Sequence, residues 1–429
     1  MNPSVLEADL TWTGDRFEPG IQVAIGEDGR IEAVGDLGAP NLRLKDGALL
    51  PGMVSAHSHA FQRGLRGRGE TFPAGAGSFW SWREAMYGLV GRLDAKEFRA
   101  LCLQTFREMR AAGITTVGEF HYFHHLNPDA TDYAFDELVL AAAAEAGIRI
   151  ALIEVYYRTG GVGQPLEGPQ RRFGSPSPEV YWEQMDRLTS RLDARRESLA
   201  ASVHSLRAAS LEDLAAIYEE ARRRDLPFHI HVEEQRREID DVFAYYGQRP
   251  MALLLETLGT ATDVTAVHCT HTDAEEMDRF LAAGGTVCLC PLTEANLGDG
   301  IAAVPRARPT SGAFCLGSDS NARISLIEEM RWLEYAQRLA TEIRGLLRNE
   351  EGNVARILFE VASAGGAKSL GIETGRIEPG LWADFAAIDL EASSLAGWTP
   401  ETLLESILFG ATEEVVTATC VGGEWMEHW

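Results

Sequence analysis

Features that staple or anchor a chain are scarce in this sequence. Its 429 residues include six cysteines, at 102, 269, 288, 290, 315 and 420, and no C-x-x-C pair. That scatter excludes a disulfide framework and a cysteine-rich zinc module. Cys288 and Cys290 alternate along an apolar run and are expected as buried thiols. Nowhere do ~18 apolar residues run uninterrupted, so no membrane-spanning helix is expected. The opening MNPSVLEADLTW has neither the basic start nor the apolar stretch of a secretory leader, which makes a reducing cytoplasm the expected location. Basic residues are outnumbered, 39 Lys and Arg against 64 Asp and Glu. The resulting charge of -25 removes the electrostatic footprint of a nucleic-acid or anionic-membrane partner. An anionic small substrate must then be caught by local arginines.

What is present reads as a large globular chain. Residues 4 to 48 hold short alternating runs about turn signals, with Ile21–Ile25 and Ile31–Val34 forming a hairpin across Gly26-Glu-Asp-Gly29. The far end repeats the style in Ala383–Ile388 and Val415–Trp425. A small β-sandwich-like domain built from both termini (1-48 and 376-429) is expected around a middle of 49-375. That middle alternates apolar strands with amphipathic helices. Strands are expected near 49-56, 114-120, 148-155, 199-204, 227-232, 264-268, 285-290 and 313-318. Eight such strands point to a (β/α)8 TIM-like barrel rather than a doubly wound sheet. Asp94 and Glu97 spell a capping box before one helix, which Gly113 ends, and Ser210 with Asp213 starts another.

Chemistry-bearing residues gather at strand ends. His57-Ser-His59 follows the first run, and a spacing of two on a strand puts both imidazoles on one face. His229-Ile-His231-Val-Glu-Glu234 ends the fifth strand; His231 is the better ligand, His229 reads as a buried structural histidine, Glu233 as solvated or structural, and Glu234 as an acid/base group. Val267-His268-Cys-Thr-His271 ends the sixth and Gly317-Ser-Asp319-Ser the eighth. An H-x-H alone is a weak signal, and an isolated Asp319 would read as a helix cap. Histidine or aspartate at four strand ends on the catalytic face of a barrel is a strong signal. One divalent ion, most simply Zn2+, is expected on His57, His59, His231 and Asp319.

This pattern resembles the amidohydrolase superfamily, as does Gly375-Arg-Ile-Glu-Pro-Gly-Leu-Trp-Ala-Asp384 near the end of the chain. The resemblance implies hydrolysis by activated water, with Asp319, His268 and Glu234 as catalytic groups, and a homodimer. Binuclear members carry a lysine on strand four where this chain has His204, so the resemblance implies a single metal. Further motifs resemble the formimidoylglutamate deiminases of histidine degradation: His57–Arg63, Trp82-Arg83-Glu84, Glu119–Tyr122, His204–Arg207 and Thr293–Ile301. N-formimino-L-glutamate carries two carboxylates, which assigns Arg83 and Arg207 as anchors and Gln62, Tyr122 and His204 as hydrogen-bonding groups. One position departs from the pattern. Asn321 stands where those deiminases have histidine, which leaves the preferred N-formimino acid open.

Two other readings compete. The aromatic residues Phe61, Phe79, Trp80, Trp82, Phe120 and Phe123 could stack on a purine or pyrimidine, giving a base deaminase. A non-catalytic scaffold on the same fold would not need all four ligands together with Glu234 and His268. His121, His124 and His125 could suggest a second metal, but neighbours along a strand or loop seldom point at one centre.

Overall fold

Glycine divides the first long apolar run between two sheets. In the computed structural model, which describes residues 4–427 apart from 69, 71, 73, 74, 76, 260–262 and 305–312, one strand spans Leu42–Pro51 and the next Met53–Ser58. Gly52 lies between them, and a Cβ there would sit 2.0 Å from the Thr115 side chain. The first of these strands belongs to a mixed sheet of both chain ends. It pairs with Phe385–Asp389 on one side and, in parallel, with Ser4–Trp12 on the other. The expected hairpin is present as Gln22–Ile25 against Ile31–Gly35. Apolar side chains of this sheet, among them Leu6, Val23, Leu49, Phe385 and Cys420, form a small core of their own.

The second strand opens an eight-stranded parallel sheet. Its members in order are Met53–Ser58, Ile114–His121, Arg149–Tyr156, Glu197–Val203, Phe228–Val232, Val264–His268, Thr286–Leu289 and Phe314–Leu316. Each pairs in parallel with its sequence neighbour, as eight consecutive β/α units require. The eighth meets the first beyond the regular ladder, where His59 N–H donates to the Asp319 carbonyl (2.9 Å) and Asp319 N–H to the His57 carbonyl (3.1 Å). The sheet thus curls into a nearly closed barrel whose seam falls at the expected ligands. Gly317 permits this approach, since a Cβ there would lie 2.7 Å from the carbonyl oxygen of His57.

Helices cover the barrel and start where the residues dictate. Asp94 accepts from Glu97 N–H at 2.8 Å, and the Glu97 carboxylate in turn accepts from Asp94 N–H at 3.4 Å. Ser210 accepts from Asp213 N–H at 3.0 Å. Phe98, Phe106 and Met109 of the first of these helices are fully buried against the barrel. All six cysteines are free and buried. Among the described residues, no helix is long and apolar enough to cross a membrane.

The two sheets are tied by a buried ion pair. Arg149, which opens the third barrel strand, donates from Nε and Nη2 to the two carboxylate oxygens of Asp384 at 2.7 and 2.9 Å. Asp384 also accepts from Gly422 N–H and Thr374 Oγ1, so both its oxygens are satisfied. The Trp382 ring packs between the guanidinium groups of Arg30 and Arg149, each 4.3 Å from its centroid. Removing one partner of a buried pair strands the other without compensation, at roughly 3–5 kcal/mol. Arg149→Ala is therefore expected to lower unfolding free energy by about that amount in denaturant titration; a loss below about 1 kcal/mol would contradict the role of this pair.

Candidate metal centre and active site

Strand ends one, five and eight bring four side chains to one point. His57 Nε2 lies 3.2 Å from Nε2 of both His59 and His231, and 3.5 Å from Asp319 Oδ1. His59 Nε2 lies 3.4 Å from the same oxygen. The outer nitrogens settle the tautomers of two rings. His59 Nδ1 donates to the Phe120 carbonyl at 2.9 Å, and His231 Nδ1 to the His204 carbonyl at 3.0 Å. A carbonyl only accepts, so each Nδ1 carries the proton and each Nε2 presents a lone pair. Lone pairs that face one another beside a carboxylate repel unless a cation lies among them. Tetrahedral ligands at ~2.0–2.1 Å from zinc stand about 3.3 Å apart, and the separations here match that edge. The residues fit a divalent ion.

Electrostatics agrees with the donor set. Burial lowers the pKa of His57 and His231 and brings that of His59 down to about 3, so the rings are neutral at physiological pH. Burial opposes charge on Asp319 as well, but its contact with His57 and the nearby His268 hold it below the ordinary carboxylate range.

Beside this cluster stand two of the expected catalytic groups, His268 and Glu234. His268 Nε2 is 3.7 Å from Asp319 Oδ2 and 3.9 Å from Glu234 Oε1. Burial works against its protonation, yet Glu234, Glu294 and Asp319 raise its pKa to about 10, so the ring is cationic. Burial pushes the Glu234 carboxyl up against the opposing pull of His268 and Arg207, as suits a group that must both hold and release a proton. Glu294 had no assigned role within its motif. Its Oε1 lies 3.4 Å from His268 Nδ1 and accepts from Cys290 N–H, which fixes how His268 is presented.

The pocket above this cluster is lined by His59, Gln62, Arg83, Tyr122, His204, Arg207, His231, Glu234, His268 and Asp319, with Phe79, Trp82, Tyr87, Tyr157, Phe173 and Leu297 closing its walls. Gln62 donates to the Tyr122 hydroxyl at 2.8 Å and leaves its own Oε1 unpartnered. His204 meets Ser205 Oγ at 3.1 Å. Arg83, on the helix Phe79–Val90, makes one long hydrogen bond of 3.4 Å to the Gly160 carbonyl. Arg207 is more committed than its spacing suggested, lying 3.5 Å from Glu234 and 3.7 Å from Glu238, with its Nε lacking a hydrogen-bond partner. Tyr157, just beyond the third barrel strand, escaped sequence reading because a tyrosine beside an apolar strand looks like core.

Other singled-out residues lie apart. His229 meets the Ser369 carbonyl at 2.9 Å deep in the barrel. Glu233 is buried rather than solvated, accepting from Arg249 and Met251 N–H. Asn321 donates to Ser58 Oγ and to the Asp319 carbonyl, at 3.1 and 2.9 Å, and does not line the pocket. Asp319 and Asn321 both have positive φ, 44° and 55°, a region that Asp and Asn tolerate better than other side chains. Asn321 thus shapes the loop that carries Asp319 rather than touching the pocket's contents. On this geometry His231→Ala should lose the active-centre ion, read as one fewer zinc per chain by elemental analysis. An unchanged zinc content would contradict the ligand set.

Comparison with known proteins identifies the family. Residues 48–426 match the amidohydrolase family. The chain is 39% identical to the formimidoylglutamate deiminase of Pseudomonas aeruginosa, over 99% of this chain and 94% of that protein. It is 29% identical to a 5-methylthioadenosine/S-adenosylhomocysteine deaminase of Natronomonas pharaonis, over 94% of this chain and 87% of the relative. Among solved structures, an amidohydrolase from Brucella melitensis superposes with a TM-score of 0.88 at 32% identity, covering 98% of this chain and 94% of that one. An adenosine deaminase from Xanthomonas campestris, solved with bound zinc, shares the fold at a TM-score of 0.81 and 23% identity, covering 99% of this chain and 92% of its own. By its barrel, its strand-end ligands and these likenesses, the chain belongs to the amidohydrolase family.

Proposed function

We propose that the protein hydrolyses N-formimino-L-glutamate to N-formyl-L-glutamate and ammonia, in the cytoplasm and as a homodimer. The observation that carries this reading is the pairing of two arginines, Arg83 and Arg207, with the ligand cluster in one pocket. A substrate with two carboxylates and one formamidine needs two cationic anchors and one hydrolytic centre. The likeness to the Pseudomonas deiminase over nearly the whole chain supports the same reaction.

His57, His59, His231 and Asp319 would hold a single ion, since His204 stands at the end of strand four and is turned to Ser205. Such an ion supplies water activation, lowering the pKa of water from 15.7 to roughly 7. The protein groups then divide the proton traffic. Asp319 accepts a proton from water as its oxygen adds to the formamidine carbon. Cationic His268 stabilises the negative charge that grows beside it. Glu234 protonates the imino nitrogen as the oxygen adds, Asp319 then passes its proton to the resulting amine, and the hydroxyl proton returns to Glu234, so the C–N bond breaks with neutral ammonia leaving and the formyl C=O forming. Arg83 and Arg207 hold the carboxylates, and the Gln62–Tyr122 pair offers an unpartnered Oε1 and a hydroxyl proton to the formamidine.

A second reading, deamination of a purine or related base, draws support from the aromatic walls Phe79, Trp82, Tyr157 and Phe173 and from the nucleoside-deaminase relatives. Ammonia release from N-formimino-L-glutamate, N-formimino-L-aspartate, N-formiminoglycine, guanine, adenine, adenosine and cytosine separates the two. We expect the glutamate derivative to dominate; activity on a base alone would overturn the proposal. Glu234→Gln should retain zinc yet lose turnover by roughly 10²–10⁴-fold. Arg83→Ala is the cleaner anchor variant, because Arg207 also touches Glu234. It should cut kcat/KM by about 10- to 150-fold through a higher KM, the worth of a charge-assisted bond to a carboxylate of roughly 1.5–3 kcal/mol. An unchanged KM would remove Arg83 from substrate binding.

A further inference from the structure

A second set of metal-ligating side chains lies outside the pocket, in the histidine-rich segment that the proposed reaction does not use. His121 ends the second barrel strand, His124 follows three residues on, Asp136 sits in the first turn of the helix Ala134–Ala146, and Glu154 lies on the third barrel strand. All four are buried, and the candidate ligand atoms of His121, His124 and Asp136 lie within 4.8 Å of one another. Asp136 Oδ1 is 3.0 Å from both His121 Nε2 and His124 Nδ1. Glu154 Oε1 is 3.4 Å from His124 Nδ1, and neither Glu154 carboxylate oxygen has a hydrogen-bond partner.

The ring orientation repeats the logic of the active centre. His124 Nε2 donates to the Val155 carbonyl at 2.9 Å, as His59 and His231 donate to theirs. With that proton on Nε2, a neutral His124 turns its Nδ1 lone pair toward Asp136 and Glu154, as a ligating ring does. Gln184 donates to Asp136 Oδ2 at 2.7 Å, the kind of outer contact that orients a ligating carboxylate. His125 is excluded, because its Nε2 meets the Gly174 carbonyl and its Nδ1 accepts from Tyr133 N–H. The separations of 3.0 to 3.4 Å lie close to those among the active-centre ligands.

We propose that His121 Nε2, His124 Nδ1, Asp136 Oδ1 and Glu154 Oε1 form a second, structural site for a divalent cation of the zinc class. The cluster is buried and lies outside the pocket lining, so an ion there would be structural rather than catalytic. A divalent ion would also favour ionisation of Glu154, whose carboxyl is otherwise pushed well up by burial and by the neighbouring Asp136. The site would clamp strands two and three to the covering helix. It would thereby hold the segment from which Tyr122 enters the pocket and from which the Phe120 carbonyl fixes His59.

Crystals of the unmodified protein grown in excess zinc, with data collected on both sides of the zinc absorption edge, test this without any variant and independently of the substrate. Two anomalous peaks are expected, one among His57, His59, His231 and Asp319 and one among His121, His124, Asp136 and Glu154. A missing second peak overturns the proposal, whatever the first site holds. Glu154→Gln supplies a second readout in solution: its zinc content should fall by one equivalent while the equivalent lost in His231→Ala stays. A Glu154→Gln protein that keeps the full zinc content of the unmodified chain would equally overturn it.

Discussion

The mutual repulsion of three imidazoles and a carboxylate is the constraint on which the active end of the barrel depends. His57, His59 and His231 are neutral and buried, with Nε2 atoms 3.2 Å apart across His57 and Asp319 against them. A divalent cation among these donors would relieve that repulsion, and the scaffold holds them in place. Carbonyls of Phe120 and His204 fix two rings, while the seam between strands one and eight, made close by Gly317, places Asp319. Each device comes from a different strand, so closure of the barrel and assembly of the centre are one event.

Charge around the centre is balanced locally although the chain as a whole is strongly acidic. Glu234, Glu294, Asp299 and Asp319 crowd one side, with His268 and Arg207 as the cationic counterweights. The crowding shows in Asp299, whose carboxyl is pushed up to about 9 by burial and by the neighbouring Glu234. A group such as Glu234, held among both signs, can take and give a proton with little rearrangement of its surroundings.

Much of this was legible from residue order, for identifiable reasons. Period-two and period-3.6 patterns place all eight barrel strands within a few residues, and the H-x-H at strand one needs only the alternation of a strand to converge. The capping box at Asp94 and the cap at Ser210 are local and read directly. Contacts between distant segments were not legible. Glu294 behind His268, Glu238 beside Arg207 and Asp384 against Arg149 each join residues tens to hundreds of positions apart. The pairing of His121 with His124 failed as a sequence inference for a related reason. Neighbours along a strand or loop tend to point apart, yet both rings meet Asp136, which lies on the helix that follows.

The account rests on a cation at the convergence of the strand-end ligands, and metal removal tests that most directly. Dialysis against a strong chelator should abolish ammonia release, and added zinc should restore it in proportion to the zinc rebound. Undiminished turnover in protein from which elemental analysis shows all metal to be gone would contradict the account.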